Sequence, residues 1–204
     1  MSELQVIHRF EPGEIENGPV LLLLHGTGGN ENDLIEIGHA IAPGVALLSP
    51  RGPVLENGMP RFFRRFAEGV FDVEDIKVRA GELAEFIQEA AIQYNFDANN
   101  VWALGYSNGA NIAAALLLLH PETLAGAVLL RAMVPLVPEK TPDLQGARVL
   151  LCEGTHDPLI PAENAEELAA LLRRAGAEVD LIWQAGGHGL TANDFAAARD
   201  FLSG

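Results

Sequence analysis

Ser107 stands in Gly105-Tyr106-Ser107-Asn108-Gly109, a G-x-S-x-G pattern between the apolar run Val101 to Leu104 and a helical pattern over 108–120. A serine on a tight strand-to-helix turn presents its hydroxyl clear of the backbone, and glycines two positions to either side leave the turn room. That hydroxyl is a poor nucleophile at neutral pH and needs a base. Of the six histidines, only His120, His156 and His188 follow Ser107, and the elbow arrangement requires nucleophile, acid and base in that chain order. His120 ends a helix and suits capping. His188 lies in Gln184-Ala185-Gly186-Gly187-His188-Gly189, after a strand ending at Trp183, where a glycine-rich loop lets an imidazole reach a neighbouring strand end. The base in turn needs an acid that holds its tautomer. Asp157 follows the run Val149 to Cys152 and meets that need. Asp143 precedes the same run and falls at the wrong edge, Asp180 is inside a strand, and Asp194 begins a helix. Glu153 sits too close to its strand end to reach far, and His156 shares the loop of the acid.

Acyl transfer through such a triad also requires donors for the developing oxyanion. Leu24-His25-Gly26-Thr27-Gly28-Gly29 follows the first long apolar run, and the backbone N–H groups of Thr27 and Asn108 are the expected donors. His25 is expected to brace this loop. A dinucleotide fingerprint fails at its last glycine, a P-loop lacks Gly-Lys-Ser/Thr, and no H-E-x-x-H or i, i+4 histidine pair suggests a metal. A carboxylate nucleophile of the dehalogenase type is ruled out by serine at position 107.

The elements that must position these groups alternate. Runs 20–24, 45–48, 101–104, 127–130, 149–152 and 179–183 read as strands, most of them continuously apolar, as strands buried on both faces must be. Helical patterns occupy 31–41, 73–94, 108–120, 163–175 and 191–202. The alternation predicts an α/β fold, a mostly parallel central sheet flanked by helices on both faces, as one domain over 1–204 with no separate cap domain. Ligands of such sheets bind at the carboxyl ends of the strands, where Ser107, Asp157, His188 and the loop of Thr27 all fall. Residues 50–72 carry no clean periodicity and read as a long irregular loop, yet their phenylalanines argue against disorder. That loop is the expected cover of the site. Phe62, Phe63 and Phe66, with Met133, Leu159 and Ile160, are candidate substrate-binding residues, ordinary core packing being the competing role for each phenylalanine. Arg61, Arg64 and Arg65 suit a carboxylate or phosphate, or simple pairing with the abundant acids.

Those acids, 28 against 13 basic residues, give a formal charge of −15, which repels phosphate backbones and excludes nucleic acid as a partner. The longest apolar run, Ile112 to Leu119, is well short of the ~20 residues of a membrane span. The N-terminus shows no signal peptide, making the cytoplasm the expected compartment. The single cysteine, Cys152, forms no intrachain disulfide and reads as a buried strand position.

Leu-His-Gly-Thr-Gly-Gly-Asn-Glu, Gly-Tyr-Ser-Asn-Gly-Ala-Asn, Gly-Thr-His-Asp-Pro-Leu-Ile-Pro and Gly-Gly-His-Gly together resemble the phospholipase/carboxylesterase family of α/β hydrolases, whose relatives include acyl-protein thioesterases. Gly-Met-Pro-Arg-Phe-Phe-Arg-Arg resembles a bacterial esterase branch. The resemblance implies the α/β-hydrolase fold, Ser107 as nucleophile, Asp157 as acid and His188 as base. It also implies cofactor-free hydrolysis of a small-molecule ester and, in many members, a homodimer. Carboxylester hydrolysis of small to medium acyl groups is the expected activity, with thioesters or lysophospholipids as alternatives on the same triad. A non-catalytic receptor built on the fold would tend to lose a triad member. The thioesterase relatives carry an acidic residue soon after the His-Gly of the oxyanion loop, where this chain has Thr-Gly-Gly-Asn.

Overall fold

The computed structural model describes residues 4–204. In chain order its elements are β1 (His8–Glu11), β2 (Val20–Leu24), α1 (Ile35–Ile41), β3 (Ala46–Pro50), β4 (Val54–Glu56), β5 (Met59–Arg61), β6 (Arg65–Ala67), β7 (Val70–Phe71), α2 (Val73–Tyr94), β8 (Val101–Tyr106), α3 (Asn108–Leu119), β9 (Gly126–Leu130), β10 (Arg148–Gly154), α4 (Ala162–Arg174), β11 (Glu178–Gln184) and α5 (Ala192–Ser203). Seven strands form one sheet in the order β1-β3-β2-β8-β9-β10-β11, parallel throughout except for β1, which runs antiparallel to β3. This is the α/β-hydrolase fold.

The apolar runs are continuous because both faces of the sheet are covered. In β2, Val20, Leu22 and Leu24 face the core beneath α2, α3 and α4, while Leu21 and Leu23 face the core beneath α1 and α5. Helix α3 is buried at every residue from Asn108 to Leu118, so its apolar character extends around the whole helix. Caps set the helix ends near the site. The Asp72 carboxylate accepts from the Asp75 N–H at the start of α2, and Thr191 with Asp194 forms a capping box at the start of α5.

Two expectations are corrected, and one strand is added to those read from the sequence. Residues 31–34 form a turn, and α1 begins only at Ile35. The chain before β2 supplies β1, a four-residue edge strand too short and too polar to stand out. The stretch 50–72 is not irregular: β4 pairs β5 and β6 pairs β7 as two antiparallel hairpins. The first turns through Asn57 and Gly58, both at positive φ (51° and 80°), as a two-residue primed turn requires.

Candidate active site

Ser107 holds φ +53° and ψ −114°, a left-handed backbone rare for a residue with a side chain, between the end of β8 and the start of α3. Its N–H donates to Leu130 O (2.9 Å) on β9, and its carbonyl accepts from Asn111 N–H (2.9 Å). Neighbouring bonds therefore hold the turn. A Cβ at Gly105 would run into the backbone of Gly109 and Ala110, and one at Gly109 would overlap the Leu24 carbonyl. The motif's spacing is thus a packing requirement: α3 crosses β2 with no room for a methyl group.

The imidazole of His188 lies between the other two groups. Its Nε2 is 2.9 Å from Ser107 Oγ and its Nδ1 is 2.8 Å from Asp157 Oδ2. A carboxylate can only accept, so Nδ1 carries the proton and Nε2 is free to accept from the serine hydroxyl. The Asp157 side chain is 1% exposed, and its Oδ1 accepts from the Leu159 N–H (2.8 Å), which orients the carboxylate. Of the alternatives, His156 is exposed and meets Thr155 Oγ1. Glu153 is buried, with Oε1 accepting from Ala132 N–H (2.8 Å) and Oε2 without a partner.

Thr27 and Asn108 flank the serine on the cleft. Asn108 is the first residue of α3, so its N–H has no intrahelical acceptor. The neighbours of Thr27 are tied down: Gly28 N–H donates to Pro60 O (2.9 Å) and Gly29 N–H to Gly26 O (3.0 Å). His25 supports this loop from inside, with Nδ1 donating to Gly26 O (2.7 Å) and Nε2 accepting from Gly52 N–H (2.9 Å). Burial pushes its pKa down, in keeping with a neutral ring that both donates and accepts.

The hairpin segment is bonded directly to both residues. Asn108 Oδ1 accepts from Phe62 N–H (2.7 Å), and Thr27 Oγ1 accepts from Arg61 Nη1 (2.8 Å). Arg61 is 2% exposed; it also donates to Phe63 O and shares Glu56 with Arg65. Arg61 and Arg65 line the cleft, whereas Arg64 is exposed and pairs with Asp72 and Asp75.

Met133, Leu159 and Ile160 line the same cleft as Ser107 and His188. The phenylalanines do not. Phe62 packs against the His25 ring inside the core, Phe63 is fully buried in edge contact with Phe71, and Phe66 is 75% exposed on β6. Packing of the hairpins onto the core accounts for the first two, and the outward register of β6 for the third. Phe71, not singled out from sequence, lines the cleft. A separate apolar pocket, bounded by Ile41, Trp102 and Leu202, lies at the opposite ends of the strands; its one hydroxyl side chain, Ser203, donates to Arg199 O (2.7 Å). Among the described residues, no cluster of His, Cys, Asp and Glu could hold a metal ion.

Known proteins share this arrangement of elements. The chain matches the Phospholipase/Carboxylesterase family over residues 7–204. It is 50% identical to MhqD of Bacillus subtilis (strain 168) over 194 residues, covering 95% of this chain and 96% of that protein. It superposes on the carboxylesterase of Bacillus cereus with a TM-score of 0.94 at 49% identity, covering 96% of this chain and 92% of that one. The carboxylesterase of Mesorhizobium loti gives a TM-score of 0.88 at 34% identity, over 94% and 90% of the two chains. The match over almost the whole length, on the fold described above, places this chain in the phospholipase/carboxylesterase family of α/β hydrolases.

Proposed function

We propose that the protein is a serine carboxylesterase acting on esters of small to medium acyl groups. The observation that carries this reading is the unbroken hydrogen-bonded sequence Asp157–His188–Ser107, with Ser107 and His188 opening on a cleft that Met133, Leu159 and Ile160 also line. Family membership and the carboxylesterase neighbours support it.

In the proposed reaction Ser107 Oγ attacks the ester carbonyl as its proton passes to His188 Nε2. The carbonyl oxygen becomes an oxyanion, stabilised by the N–H groups of Thr27 and Asn108, while Asp157 stabilises the imidazolium. His188 then gives the proton to the departing alcohol oxygen, leaving an acyl group on Ser107. Water, deprotonated by the same imidazole, attacks the acyl carbon and releases the acid, returning the proton to Ser107. Met133, Leu159, Ile160 and Phe71 supply the apolar wall for the acyl group.

Replacing the nucleophile tests this. Ser107→Ala should lower kcat/KM for p-nitrophenyl butyrate by about 10⁴-fold or more. A fluorophosphonate should label the parent protein at Ser107 and leave the variant unlabelled. Esterase activity in Ser107→Ala above about a hundredth of the parent value rejects the reading. A panel of acyl esters and thioesters of increasing chain length then defines the preferred acyl group.

A further inference from the structure

His188 sits between two glycines, in a loop where Gly186, Gly187 and Gly189 carry no side chain to pack. Yet its imidazole must meet Ser107 and Asp157 simultaneously, which demands a fixed backbone. The backbone is fixed from outside the loop. Arg131 Nε donates to Gly187 O (3.0 Å), Tyr106 Oη to His188 O (3.2 Å), and Arg131 Nη2 to Gly189 O (3.2 Å). Three successive carbonyls centred on the base are held by two side chains.

Arg131 is itself fully specified. It directly follows β9, and its backbone is left-handed at φ +58°, which an L residue adopts only under constraint. The side chain is 0% exposed. Besides the two loop carbonyls, it donates through Nη1 to Cys152 O (2.9 Å) and Asp194 Oδ1 (2.9 Å), and through Nη2 to Asp194 Oδ2 (3.0 Å). Those contacts use all five guanidinium N–H groups. Asp194 is anchored in turn by the N–H and hydroxyl of Thr191 and by the Cys152 thiol.

Resting on the esterase reading, we propose that Arg131 is a positioning residue for the base, clamping the backbone on both sides of His188 so that the imidazole spans Ser107 and Asp157. A role confined to stability fits less well. A buried ion pair often contributes no more to stability than well-packed apolar residues would. Here two of the three contacts beyond the pair converge on the one loop that bears the base, and the third ties the guanidinium to β10. Lysine would keep the charge but offers three protons from a single nitrogen, too few and too close together to hold both carbonyls, Asp194 and Cys152.

The test compares Arg131→Lys, Asp194→Asn and Ser107→Ala with the parent enzyme. In Arg131→Lys, kcat for p-nitrophenyl butyrate should fall about 10- to 100-fold, as expected for a displaced catalytic group, with KM within about threefold. Fluorophosphonate labelling of Ser107 should slow by the same factor. The downfield proton resonance of the His188–Asp157 hydrogen bond should broaden or vanish while thermal unfolding stays cooperative. A folded lysine variant with parental kcat and an unchanged resonance overturns the proposal. If that variant does not fold, Asp194→Asn decides: it keeps the shape of the anchor but loses its charge, and should lower kcat about 3- to 10-fold at constant KM. Parental kcat in the asparagine variant overturns the clamp. Activity persisting in Ser107→Ala would instead reject the esterase reading, independently of either result.

Discussion

Glu153 is a buried carboxyl one residue beyond Cys152, and nothing in the proposed reaction uses it. Burial pushes its pKa up to about 8, helped by the nearby charges of Asp157 and Asp194 and opposed by Ala132 N–H and Arg131. The unfolded chain ionises the same group near 4.5. Between these values the folded state retains a proton that the unfolded state has lost, so stability declines as pH rises across that window. Glu153→Gln keeps an oxygen for Ala132 N–H and removes the titration. The parent should lose about 1–3 kcal/mol more stability than the variant between pH 5 and pH 8, read by urea denaturation at each pH. Equal losses would contradict the assignment. At this scale, sequence order separated the residues that touch one another here from those that do not. Ser107, Asp157 and His188 each follow a recognisable strand, and a strand end is a local feature. Arg131 escaped notice because its partners Gly187, Gly189 and Asp194 lie more than fifty residues further along, and no local pattern links them. Phe62, Phe63 and Phe66 differ for a related reason: aromatic composition does not tell which ring the link between β5 and β6 turns into the core, as at Phe62 and Phe63, and which ring a short strand turns outward, as at Phe66.

The elements were legible where burial is two-sided, in the central strands, or where a long helix repeats its one buried face. Val20–Leu24 and Gly126–Leu130 are continuous apolar strands, and α2 spans Val73–Tyr94, matching the periodicity over 73–94. The four strands within residues 54–71, each two or three residues long, offer too few positions for a period to emerge, although Asn57-Gly58 is a hairpin signal in its own right. The segment around those hairpins ties Arg61 to Thr27 and Phe62 to Asn108, so it forms one bonded unit with the 24–29 loop and the start of α3. The crossing of α3 over β2 is equally exacting. Gly109→Ala would place a methyl group on the Leu24 carbonyl, and backbone cannot rotate aside as a flexible side chain can. We expect a loss of about 3 kcal/mol or more, read as a lowered thermal midpoint, together with reduced activity as the elbow shifts. A variant as stable as the parent would mean that α3 and β2 are less closely packed than described.

Charge acts over the whole molecule and differs in kind from the charge around the cleft. Locally the signs are nearly balanced, since Arg61 and Arg65 meet Glu56 and Glu68, and Arg131 meets Asp194. The whole chain carries −15. A substrate approaching from a distance therefore encounters a negative field, and only near the cleft a nearly neutral one. Salt separates the two contributions because exposed charges are screened beyond roughly 10 Å at 0.1 M ionic strength. Raising ionic strength from about 0.01 M to about 0.3 M should increase kcat/KM for an ester bearing a carboxylate and decrease it for one bearing a trimethylammonium group. A neutral ester of the same length should change less than about twofold. Parallel responses of all three esters would mean that salt acts on the fold or the chemistry rather than on approach. A carboxylate ester favoured at low salt would place the dominant charge at Arg61 and Arg65, with Glu56 and Glu68 failing to neutralise them.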